Sequence, residues 1–262
     1  FGYIFGTSKY DGSIATSQTY YGSSTSNTTS AAYYLPASLK SVTITGGEIL
    51  FGAFFNCESL TSITIGNSVT TIGDSAFYGC TGLTSVTIGN NVTTIGVSAF
   101  RGCTGLTSVT IGNGVTTIAS CAFYGCTSLT SITIPNSVTT IDSGAFWDCT
   151  GLTNIYITDL AAWCKISKLY NLMEYGLSKK NLYLNNELVT ELVIPEGVTT
   201  IGSGAFCDCT GLTSVTIPNS VTEIGSFAFR GCTGLASITI PSSVTTIGND
   251  AFWGCTGLTS IT

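Results

Sequence analysis

Cysteine is the first residue in this sequence with chemistry to offer. The 262-residue chain holds 11 cysteines. Eight of them (Cys57, Cys80, Cys103, Cys126, Cys149, Cys209, Cys232 and Cys255) fall at one recurring position. A thiolate can serve as nucleophile, metal ligand or disulfide partner, and each use meets an obstacle here. No His occurs anywhere, which removes Ser-His and Cys-His nucleophile pairs and every His-ligated metal. Zinc wants four ligands around a point, which a straight column does not supply. Neighbouring copies would stand at a Cα distance that permits a disulfide. Yet the first run has five members, from Cys57 to Cys149, so pairing leaves one over. Side chains repeating in parallel also point the same way rather than at each other. We therefore expect reduced thiols that act as small buried hydrophobes. The strays are Cys121, Cys164 and Cys207. The Cys207-Asp208-Cys209 run predicts one thiol facing out and one facing in, and Cys164 has no base to activate it.

Carboxylates offer no more. Asp74, Asp142, Asp148, Asp208, Glu223 and Asp250 are scattered and form no recurring pair, so no acid–base dyad is indicated. Calcium loops of the D-x-D-x-D-G type are absent, and the glycines form no phosphate-cradling motif. We expect no catalytic residues, no metal and no cofactor. Lys and Arg number 8 against 14 Asp and Glu, for a net charge of −6. That balance argues against nucleic-acid binding, which needs a basic face. A charged share of only 8% excludes a charge-solvated disordered chain. Residues 1–20 show no basic start followed by an apolar run, and no stretch reaches membrane-spanning length. Phe1 opens without Met and Thr262 falls in mid-pattern, so the sequence reads as a fragment of a longer protein.

What must position these residues is a repeat. Leu60, Leu83, Leu106, Leu129 and Leu152 step by 23 residues, and Val189, Leu212, Leu235 and Leu258 resume the series. Counting that residue as column 0, apolar or small residues fill columns 0, 3, 5, 9, 12, 16, 17 and 20. In one copy these are Leu83, Val86, Ile88, Val92, Ile95, Ala99, Phe100 and Cys103. The Leu-x-x-Val-x-Ile start alternates with period two and is β-branched, so it predicts a short strand. Gly or Pro at column 6 ends it. Val-Thr-Thr-Ile predicts a second short extended piece. Ala-Phe-x-x-Cys has the spacing of one helical or 3-10 turn. One lap cannot bury enough surface to order itself, so laps must stack into a solenoid. About nine laps at roughly 4.8 Å give a rod on the order of 45 Å long.

The repeat breaks twice. Residues 1–38 lack the pattern and predict an irregular N-terminal segment, a modified rung or a long loop. Within it Gly2-Tyr3-Ile4-Phe5 suits a strand, and 11–32 suits a surface loop. Repeats are expected over 39–157, the first lap being two residues short, and over 189–262, truncated at the end. Between them, 158–188 predicts a helix capped by Asp159 and a hairpin turning at Asn185-Asn186. This insert carries four of the eight basic residues, Lys165, Lys168, Lys179 and Lys180. Tyr156 stands at its edge, with Trp163, Tyr170 and Tyr175 inside. Insertions in solenoids bulge from one face and often carry binding; the plainer reading is an elongated lap that merely keeps the stack continuous.

Two other surfaces are open to contact. Ser at column 2 and Thr at column 4 form a lawn of small hydroxyls, which suits exposed strand positions as such. Flat threonine arrays also suit ice, but Ser in half the columns weakens that reading. Column 18 holds Tyr78, Arg101, Tyr124, Trp147, Cys207, Arg230 and Trp253. Tyr, Trp and Arg are enriched at interface hot spots, and they also shield turns.

The pattern L-x-x-V-x-I-P-x-x-V-T-x-I-G-x-x-A-F-x-x-C resembles the BspA-like (Treponema-type) leucine-rich-repeat family. Residues 212–234, LTSVTIPNSVTEIGSFAFRGCTG, match it throughout, and the likeness covers about 39–157 and 189–262. The resemblance implies a leucine-rich-repeat solenoid, mostly parallel β and conventionally grouped α/β, with its sheet on the concave side. It further implies a non-enzymatic surface or secreted module for protein–protein or cell adhesion. Its partners would be host or neighbouring-cell surface proteins or extracellular matrix, with no membrane insertion. The alternative is a passive spacer displaying another domain.

Overall fold

The computed structural model describes residues 9, 11–21, 28–173 and 179–262. The column pattern becomes a parallel-strand solenoid of about nine stacked laps. Each lap contributes one strand to a first parallel sheet. The strands Ser41–Ile44, Ser62–Ile65, Ser85–Ile88 and Ser108–Thr110 pair in order. Ser131–Thr133 and Asn154–Ile157 continue them, as do Glu191–Val193 and Ser214–Thr216 further on. The register is the sequence period itself, Ser62↔Ser85↔Ser108. The short first lap pairs Ser41 with Ser62, and its two missing residues are absorbed one between Ile44 and Gly47 and one where the register shifts between Gly47 and Ile49. The second extended pieces form another parallel row, running from Gly47–Ile49 to Thr140–Ile141 and again from Thr200–Ile201 to Thr246–Ile247.

The closing segment of each lap has the expected i→i−3 bonds, but only at alternate residues. Ala76, Tyr78 and Cys80 N–H donate to Gly73, Ser75 and Phe77, while the intervening Ser75, Phe77 and Gly79 N–H donate to Val97, Ala99 and Arg101 of the next lap. The backbone therefore spends half its donors on stacking. Column 15 adopts positive φ to do so, as at Ser75 and Ser98 (54° each). Threonine adds a further tie between laps. Thr84 Oγ1 donates to Thr61 O at 2.9 Å and Thr107 Oγ1 to Thr84 O at 3.0 Å. Between these rows the core is one cluster, in which Phe54, Phe77, Phe100, Phe123 and Phe146 stack at 5.1–5.3 Å with rings nearly parallel.

Both breaks are more regular than their sequences. In place of a loop over 11–32, β1 (Ser13–Tyr21) and β2 (Thr28–Pro36) form an antiparallel hairpin. Its extended backbone satisfies its own ladder, which a Tyr/Ser/Thr-rich run without apolar alternation did not advertise. The strand reading of 2–5 lies outside the described residues. In the insert, α1 (Leu160–Cys164) forms where expected, and Asp159 Oδ1 accepts from Ala161 and Ala162 N–H at 2.8 and 3.0 Å. The hairpin also forms: Asn181–Leu184 pairs with Glu187–Leu188, and Asn185 and Asn186 take φ of 51° and 69°. A second helix, α2 (Tyr170–Met173), is additional. Among the described residues no helix is long and apolar enough to cross a membrane.

Candidate binding surface

The insert completes both rows of the solenoid. Asn181–Leu184 extends the first sheet in register, Asn154↔Asn181. Ser167 bridges to Thr140 in the second row, and Gly202 N–H reaches Cys164 O at 3.0 Å on the other side. Tyr170 N–H donates to Ser203 O, the bond that Ser98 makes to Ser120 in an ordinary lap. Tyr170 thus stands at column 15, and Leu172 reaches the phenylalanine column, where it is buried. Gly204 makes this fit possible: it has φ of 72°, and a Cβ there would lie 2.5 Å from Tyr170 N.

This packing corrects three expectations. Trp163 does not offer a contact surface; its ring is buried and its indole N–H donates to Ala205 O at 2.9 Å. Lys180 is buried as well, with Nζ donating to Leu152 O at 2.6 Å, in the gap that the thiol column leaves between Cys149 and Cys209. Burial pulls its pKa down. Cys207 is buried rather than exposed, α2 packing with Tyr170 against Gly204 of the same segment.

The remaining insert candidates reach the surface. Lys165, Lys168 and Lys179 are exposed, Tyr156 and Tyr170 are half-buried, and Lys168 pairs with Asp142 at 3.5 Å. Tyr175 lies outside the described residues. The column-4 line then shows what the sequence reading missed. Thr64, Thr87, Thr110 and Thr133 give way to Tyr156 and to Tyr183, whose rings stack at 4.6 Å. Leu188 sits opposite Tyr183 across the hairpin and is 45% exposed, and Val193, at column 4 of the next lap, is 65% exposed. An apolar island thus interrupts the hydroxyl face. The repeated N-x-Y-x of Asn154–Ile157 and Asn181–Leu184 was the available signal for Tyr183.

Column 18 forms a second stripe. Phe55 stacks on Tyr78 at 4.8 Å, the Arg101 guanidinium lies over the rings of Tyr78 (5.7 Å) and Tyr124 (4.5 Å), and Tyr124 meets Trp147 at 6.0 Å. Arg230 likewise lies over Phe227 (5.5 Å) and Trp253 (4.7 Å). The guanidiniums are held between rings, so this stripe braces the turns. Trp147 and Trp253 are 53% and 61% exposed at its ends.

The cysteine column has a structural task. Cys80, Cys103, Cys126 and Cys149 thiols donate to Phe54, Phe77, Phe100 and Phe123 carbonyls of the preceding lap at 3.0–3.3 Å. Burial pushes Cys103, Cys164 and Cys209 up to about 12, so thiolate is scarce near neutrality.

The sequence profile described as BspA type leucine-rich repeat region matches residues 47–165 and 179–262 in six copies. Among curated proteins none matches. A leucine-rich repeat protein from T. pallidum is 22% identical over 86% of this chain and 80% of its own, with a TM-score of 0.47. One from Eubacterium ventriosum is 26% identical over 78% and 60%, with a TM-score of 0.46. The pneumococcal vaccine antigen PcpA is 20% identical over 97% and 80%, with a TM-score of 0.48.

Proposed function

The chain belongs to the BspA-type leucine-rich-repeat family, a repeat binding or structural module, and we propose that it is a non-enzymatic adhesion module displayed at a cell surface or secreted. Its partners are proteins of neighbouring or host cells, or of extracellular matrix. The observation that carries this reading is the island of Tyr156, Tyr183, Leu188 and Val193 on a sheet face otherwise polar and mostly Ser and Thr. Partly exposed aromatic anchors in a polar field are the usual form of a protein–protein hot spot. The rigid stack holds them in place, so little freedom is lost on docking. Lys165, Lys168, Tyr170 and Lys179 of the same insert offer further polar contacts away from the island, Lys165 and Lys168 on the turn side. Trp147 and Trp253 offer further anchors on the turn stripe.

A second reading has its own observation. The uniform hydroxyl face over four consecutive laps before the island, Thr64 to Thr133, suits a passive spacer. Capture against purified matrix and host-surface proteins separates the two. We expect at least one protein to bind, with affinity falling at least tenfold in the double variant Tyr156→Ser/Tyr183→Ser (about 1.4 kcal/mol or more). No capture across the panel, or capture indifferent to both tyrosines, contradicts the adhesion reading.

A further inference from the structure

A groove of about 440 Å³ opens beside the insert, between 164–168 and 199–203. Its size falls within the range of small-ligand sites. The polar side chains on its walls are those of Lys165, Ser167, Lys168, Thr199, Thr200 and Ser203, and no aromatic ring lines it. The apolar wall positions, Cys164 and Ile166, are buried. The groove therefore offers ammonium and hydroxyl donors but no apolar anchor of the kind that a docked peptide needs.

We propose that this groove binds the acidic groups of a polysaccharide chain, carboxylate or sulfate. The Lys165 ammonium has no acidic partner among the described residues. Lys168 has one, Asp142, at 3.5 Å in an exposed pair that an incoming anion can exchange cheaply. Lys168 is held at φ of 62°, a conformation that non-glycine residues enter only under constraint, so its place beside Ser167 is fixed by the fold. The hydroxyls of Ser167, Thr199, Thr200 and Ser203 match sugar hydroxyls as donors and acceptors. Glu223 is exposed and in register with Thr200, and it bars an anion from extending that way. The acidic groups accordingly seat at the Lys165–Lys168 end. The proposal rests on the reading of this chain as a binding module, but not on the tyrosine island.

The test uses the whole chain and three fluorescent octasaccharides: a sulfated one from heparin, the carboxylate-only one from hyaluronate, and uncharged dextran. Binding is read by anisotropy at low salt. We expect at least one acidic sugar to bind and dextran not to bind; which acidic sugar binds identifies the group. Lys165→Gln/Lys168→Gln is expected to weaken it at least tenfold, whereas Lys40→Gln leaves it unchanged. Both lysines are exposed, so their loss leaves the thermal midpoint in place. No binding of either acidic sugar overturns the proposal, as does binding that survives the lysine variant or falls equally with Lys40→Gln. Sugar binding with failed protein capture would sink the adhesion reading and leave this one standing.

Discussion

At the residue scale, the thiols carry the chemistry that the molecule declines to use. All eight column cysteines are buried, and Cys80, Cys103, Cys126, Cys149, Cys232 and Cys255 donate to a carbonyl of the preceding lap, so deprotonation of these removes both a hydrogen bond and a neutral packing group. The sign of the pH effect follows. Thiols whose folded pKa is raised above 9 keep their proton when the unfolded chain has lost it. Their stability contribution is complete below the unfolded value and falls away as pH rises toward about 12. We expect the urea midpoint to stay level from pH 7 to 8 and to drop between pH 9 and 10.5, each raised thiol adding up to about 1.4 kcal/mol per pH unit. Lys180, lowered by burial, and Cys149, lowered by its hydrogen bond with Cys126, act in the opposite sense, because a lowered folded pKa makes stability rise with pH, but they are two groups against several. An unchanged midpoint at pH 10.5 would contradict this. In iodoacetamide labelling at pH 8, Cys121, the one cysteine that is not buried, is expected to react first, the other ten only on unfolding. The inward sense of the column was legible because Cys shares its face with Phe three residues earlier. The burial of Cys207 was not, since it depends on a helix of four residues packed against its segment from 37 positions upstream.

At the scale of elements, the lap is legible and the tie between laps is not. Strand starts, their ends at Gly or Pro and the capped helix at Asp159 each follow from local chemistry. The alternation of bonds within and between laps is set by positive φ at column 15, a position where Ser, Cys, Gly and Phe all occur. Residue type there carries no signal, because the stack and not the side chain imposes the conformation. The hairpin of β1 and β2 escaped notice for a related reason: its pairing is made by backbone alone, and period-two apolar alternation was absent. The phenylalanine stack gives this scale its prediction. Phe100 contacts rings on both sides at 5.1 and 5.3 Å, so Phe100→Ala is expected to cost about 3–5 kcal/mol. Phe252, stacked on one side only and partly exposed, is expected to cost markedly less on the same change. Equal losses in denaturant midpoints would show that the rings act as separate contacts rather than as a column.

At the scale of the molecule, the insert decides whether there is one solenoid or two. Its sequence shows a helix, a hairpin and a cluster of lysines, and on residue types alone Trp163 and Lys180 look like contact residues. Both are instead spent on closure, Trp163 reaching forward to Ala205 and Lys180 back to Leu152. The surface that remains, with Tyr156 and Tyr183 on the sheet and Lys165 and Lys168 on the turn side, exists because that closure holds the two runs of laps in one register. Native-state hydrogen exchange resolved by residue tests this most directly. The amides of Ile141 and Gly202 and the indole N–H of Trp163 are expected to be protected as strongly as Gly96 and Gly225 on either side. Fast exchange at those three sites between well-protected flanks would mean two separate stacks joined by a loose linker.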